Sequence, residues 1–128
     1  MLYRLYLKKY GETPKMNADY TPDRWVVVKI TAPNVLLYKV FACWYGGYAG
    51  SDSWKMNSGI TKVTEKDNQY FFEGYSGSVY GCHKDSYGTN TYGSSVLNRF
   101  IEEAAKTGES TIEILPEDTN FLEINYDC

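Results

Sequence analysis

The sequence predicts an α+β domain: a mostly antiparallel β-sheet of about six to seven strands, with one helix at about 95–107 packed on a face of it. Three observations lead there. Aromatic residues make up 16% of the chain, and aromatics among β-branched neighbours favour pleated, half-buried surfaces over helices. Two dense apolar runs, RWVVVKIT and VLLYKVFACWYGGY, are separated by the turn signal Pro33-Asn34. Val96, Leu97, Phe100, Ile101 and Ala104 repeat at helical spacing. At 128 residues, a single domain over 1–128 can enclose a core without disulfides or metals.

Taken in order, LYRLYLKKY alternates roughly every second residue and reads as a first strand. GETPKMNADYTPD, with two prolines, reads as a loop. RWVVVKIT and the longer run after Pro33-Asn34 read as an antiparallel hairpin, the second being the central strand. SWKMNSGITKVTE reads as one strand with a bulge at Gly59. Lys66-Asp67-Asn68 turns the chain, and NQYFFEGY returns antiparallel, with SGSVYGCHK continuing it or bending into a next strand. DSYGTNTYG lacks periodicity and reads as a loop. Ser94 or Ser95 is expected to cap the helix and Gly108 to stop it, with Lys106 suiting the dipole in the last turn. STIEIL and NFLEINY read as two final strands split by Pro116.

Composition narrows the function. No run approaches the ~18 apolar residues that span a bilayer, and MLYRLYLKKYGE is too polar for a signal peptide, so a cytoplasmic protein is expected. Cys43, Cys82 and Cys128 are far apart and odd in number, which fits no disulfide framework. Cys82 and His83 point to opposite faces of a strand and cannot easily share an ion, so neither a metal nor another cofactor is expected. Residues 1–99 carry twelve Lys/Arg against eight Asp/Glu (+4), and residues 100–128 one against eight (−7), giving the net −3. The basic residues are scattered, which argues against a nucleic-acid partner.

Catalytic arrangements find little support. A nucleophile needs a base in reach, and the chain has one histidine, His83. GYSGS lacks the order of a nucleophile elbow. Asp52, Asp85 and Glu73 can be assembled as acid–base carboxylates, but loop aspartates commonly make local turn hydrogen bonds.

Binding is better supported. Residues 45–93 hold nine of the eleven glycines and seven of the thirteen tyrosines. Rigid aromatics with small neighbours suit recognition surfaces. If the strands pair as read, the loops at 45–53 and 84–93 meet at one end of the sheet. Trp54, Tyr45, Tyr48, Tyr87 and Tyr92 then stack on a ring, and Lys55 or Arg99 meets a phosphate, while Asn57 and Asn90 read donor and acceptor edges. Trp25, Phe41, Trp44 and Phe72 are expected inside, and Tyr45, Tyr48, Tyr87 and Tyr92 outside. The competing reading gives the same surface to a protein partner, or to a second copy in a homo-oligomer.

In SDSWKMNSGITKV…YFFEGYSGSVYGC, the residues Trp54, Ser58, Gly59, Ile60, Ser76, Gly77, Ser78 and Tyr80 form a tryptophan strand followed by an SGSxY strand. Over roughly 44–88 this resembles small β-rich proteins of phages and mobile elements. The resemblance implies a factor acting against host immunity, which sequesters a small anionic, nucleotide-like signal or blocks a host defence protein. It carries over no site residue.

Overall fold

The computed structural model describes residues 17–47 and 50–127. The expected first strand at 2–10 lies outside the described residues, as does Tyr48. Among the described residues, seven strands form two antiparallel sheets with one helix, an α+β arrangement. The first sheet contains β1 (Arg24–Ala32), β2 (Val35–Trp44), β3 (Ser53–Met56) and β7 (Thr111–Ile114), in the order β3-β2-β1-β7. The second contains β4 (Ile60–Lys66), β5 (Gln69–Gly74) and β6 (Val79–His83), in chain order. Helix α1 runs over Thr91–Thr107. The single sheet expected from the sequence is therefore two.

The β1–β2 hairpin sits at the centre because it is apolar on both faces. Trp25 pairs with Ala42 and Val27 with Val40, and these four line the cluster shared with Ile60, Phe72 and Tyr80 of the second sheet. Their neighbours Val26, Phe41 and Cys43 turn to the opposite face, where Leu97 of α1 covers them. Alternation along a strand makes a continuous apolar run the mark of burial on both sides. The turn between them follows from its residues: proline presets a negative φ at Pro33, and Asn34 takes φ 62°. Asp67 and Asn68 likewise carry positive φ, 54° and 62°, in the tight β4–β5 turn.

The segment read as one strand over 53–65 is two. β3 pairs with β2, β4 with β5, and the chain changes sheets at 57–59. Gly59 has φ 129°, and a Cβ there would lie 2.8 Å from the Tyr75 ring and 2.9 Å from Leu37 Cδ1. Only glycine takes that corner without strain. The register shift lies two residues on, between Ile60 and Lys62. SGSVYGCHK starts a new strand, since Gly74 N donates to Ser78 O (3.0 Å) across a hairpin loop.

Two further expectations are corrected. The helix begins at Thr91 and not Ser95, because Asn90 caps it: its Oδ1 accepts from Gly93 N at 2.6 Å. Its end is as read, with Gly108 left-handed and its N–H donating to Ala104 O at 3.2 Å. NFLEINY is not a strand. It closes the aromatic interior as an irregular segment, with Phe121 buried against Trp25, Tyr70 and Phe72 and Tyr126 edge-on to Tyr38.

Candidate functional site

The 84–93 segment packs on the end of the first sheet where β1 begins and where β2 ends, just before the 45–53 loop in the chain. Asn90 Nδ2 donates to Trp44 O (3.2 Å), and Arg24 donates to Tyr87 O (2.8 Å). Gly93 permits this approach, because a Cβ there would collide with Cys43 Sγ. The residues expected to form one binding face are nevertheless divided among different places.

Lys55 and Trp54 are adjacent on β3 and point to opposite sides of the sheet. Trp54 stacks on Phe41 (5.4 Å, 12°) and meets Phe100 of α1 edge-on, so it belongs to the helix layer. Lys55 lies on the other side, exposed, with its ammonium 4.9 Å from the centroid of the Tyr20 ring. Half-buried Trp44 stands edge-on to Tyr20 at 6.4 Å, and its indole N–H donates to Thr21 O (3.0 Å). Tyr45 follows Trp44 with 54% of its surface exposed, its backbone N–H held by Asp23 at 2.9 Å. Tyr20, Trp44 and Lys55 thus make an aromatic corner with one cation, with exposed Tyr45 next in the chain. Trp44, expected inside, is half-buried: it packs against the first cluster and borders this corner.

Tyr87, expected outside, is half-buried and packs against both apolar clusters. Its hydroxyl donates to Leu115 O (2.6 Å) and accepts from Val27 N (3.2 Å), bridging a gap in the hydrogen bonding along the edge of β1. Its ring lies 4.7 Å from Trp25 at 90°. Burial pushes its phenol up to about 12. Asn57 is 4% exposed and continues the β2–β3 ladder, with its N–H donating to Val40 O (3.0 Å) and its Oδ1 accepting from Val40 N (2.9 Å). Asn90 is the helix cap. Both asparagines therefore hold backbone inside the protein and do not present an edge at its surface. Tyr92 and Arg99 are exposed two turns apart on α1.

The catalytic candidates have local structural duties. Asp52 accepts from Gly46 N (2.9 Å), and Asp85 from Asn68 Nδ2 (2.8 Å). Ser76 N donates to Ser58 Oγ (2.9 Å). The carbonyl of His83 accepts the Trp25 indole N–H at 2.6 Å, while Cys82 beside it is buried. Burial raises both the Cys82 and Cys43 thiols, which disfavours the nucleophilic thiolate. Among the described residues, no group of three or more His, Cys, Asp or Glu is placed to hold a metal ion, and no helix is long and apolar enough to cross a membrane.

Tyr20 was missed by sequence reasoning because it stands in a proline-flanked loop without periodicity. It is brought in by long-range pairing: Tyr20 N donates to Val79 O and Gly81 N to Tyr20 O, so this loop runs beside β6. No protein-family model matches the chain, and neither does any curated protein or solved structure.

Proposed function

We propose that this chain is a non-catalytic binding protein whose aromatic corner receives a planar ligand bearing an anionic group, such as a nucleotide. The observation that carries the reading is Lys55. Its ammonium rests over the Tyr20 ring beside Trp44, and among the described residues no carboxylate pairs with it. The nearby carboxylates of Asp23 and Asp52 each accept a backbone N–H. An ammonium held by an aromatic face keeps donors for a phosphate or carboxylate, and the neighbouring rings supply a stacking surface. A role against host defences would make that ligand a signalling nucleotide.

Thermal shift against cyclic and linear nucleotides tests this. A binding ligand raises the melting temperature by mass action, and Lys55→Glu should remove the rise while Arg99→Ala keeps it. If no nucleotide shifts the wild-type protein, or if the Lys55→Glu shift equals the wild-type one, the reading fails.

A protein partner is the second reading. It is favoured by Tyr45 and Tyr92, which are 54% and 46% exposed and flank the Asn90–Trp44 hydrogen bond. Exposed tyrosines are typical of hot spots.

A further inference from the structure

A second site lies on the opposite side of the first sheet, away from the aromatic corner. Helix α1 covers the sheet closely at Leu97, Phe100 and Ile101, but one turn on its inward residue is Ala104, whose small side chain leaves the sheet uncovered. An open cleft of about 390 Å³ results. Its floor is Ile30, Met56 and Ile112, and its helical wall is Phe100 and Ala104. Ser110 and Thr107 stand at the end where the chain leaves the helix.

Glu103 is the one ionisable residue lining this cleft. It is exposed on α1, and among the described residues its carboxylate has no ion-pair partner, although Arg99 and Lys106 are on the same helix. The volume lies in the range of small-molecule sites, about 300–1,000 Å³, which are mostly apolar with few polar groups fixing orientation. An apolar floor under a single unpaired carboxylate is complementary to an apolar stem with a cationic head. An anion would meet Glu103 without a compensating cation among the lining residues. The acidic balance of 100–128, which supplies most of the walls, acts in the same direction.

We propose that this cleft binds a small amphiphilic amine, its hydrocarbon stem on Ile30, Met56 and Ile112 and its ammonium against Glu103. The site is independent of the aromatic corner, and failure of either leaves the other standing.

The test uses one stem with three heads: 4-phenylbutylamine, 4-phenylbutanol and 4-phenylbutyrate. Calorimetric titration gives the affinities, and methyl NMR of Met56, Ile30 and Ile112 locates the binding. The amine should move those methyl resonances and bind about fivefold more tightly than the alcohol, the scale of one exposed ion pair. The carboxylate should bind more weakly than either. Glu103→Gln should bring the amine level with the alcohol, and Glu103→Lys should place the carboxylate above the amine. Both changes are at an exposed helix position and leave the fold intact. Ala104→Leu fills the cleft and should abolish binding of all three. The proposal is overturned if the three heads bind equally, if Glu103→Gln leaves the amine preference unchanged, or if the shifted resonances lie outside the cleft.

Discussion

On one face of the β1–β2 hairpin, Trp25 and Val40 meet a second sheet through aromatic rings whose polar atoms find backbone carbonyls. On the other face, Val28 and Phe41 meet a helix that stops covering the sheet at Ala104. The first interior gathers Trp25, Tyr70, Phe72, Tyr87 and Phe121 with centroids 4.7–6.1 Å apart. Trp25, Tyr87 and Tyr126 donate to the carbonyls of His83, Leu115 and Phe121. All five rings are fixed by packing, and Trp25 and Tyr87 also by a directional bond, so that layer has few alternative arrangements. The helix layer is largely aliphatic, adjusts more readily, and leaves an open cleft. Strands alternate, so both layers are built from one hairpin, yet one suits stability and the other suits a ligand.

Deleting a fully buried ring tests the contrast most strongly. Phe72→Ala should cost about 3–5 kcal/mol in urea unfolding, since neighbouring aromatics cannot collapse into the space. Leu97→Ala, also fully buried, should cost about 3 kcal/mol at the lower end of the Leu→Ala range, because the helix can settle toward the sheet. Equal losses would erase the distinction between the layers.

Tyr87→Phe sharpens it further. The substitution keeps the ring and removes the hydroxyl that joins Val27 and Leu115, and should cost about 1–3 kcal/mol by leaving a buried donor unpaired. The same residue predicts an alkaline limit. The phenols of Tyr80 and Tyr87 are both raised to about 12 in the folded protein, chiefly by burial, against about 10 in an unfolded chain. The unfolded state therefore releases protons first. The stability these residues provide is complete below about pH 10 and is lost as pH rises toward about 12. Melting temperatures between pH 8 and pH 11.5 should fall, and Tyr87→Phe should flatten part of the fall. An unchanged slope in the variant would remove Tyr87 from the account.

The smallest effect concerns the joint between the layers. Asn90→Ala loses the cap on Gly93 and the bond to Trp44 O, and should cost about 1 kcal/mol, with the first turn of α1 exchanging its amide protons faster. A neutral result would mean that the Gly93–Cys43 contact alone seats the helix.

Much of the fold was legible because it is written in short-range chemistry. The period of Val96, Leu97, Phe100 and Ala104 marks the helix, and Gly108 marks its end. Pro33-Asn34 and Asp67-Asn68 mark two turns through the φ angles those residues accept. RWVVVKIT announces a strand buried on at least one face, and VLLYKVFACW the central strand beside it. The helix start was misread because Ser94 and Ser95 and Asn90 are all good caps, and only the packing of Gly93 on Cys43 selects Asn90.

The candidate site was less legible. Tyrosine is apolar on its face and polar at its tip, so the residue type does not decide whether Tyr87 packs against the core or Tyr45 meets solvent. Tertiary pairing decides it. The corner at Gly59 sends β4 into a second sheet, the bridge at Tyr20 brings a proline-rich loop beside Lys55, and strand alternation separates Lys55 from Trp54. The sequence by itself determined which segments are strand or helix and how several of them turn, because those preferences are set within a few residues. Tertiary structure alone decided which strands share a sheet and which aromatics remain outside, because those outcomes depend on contacts between residues distant in the chain.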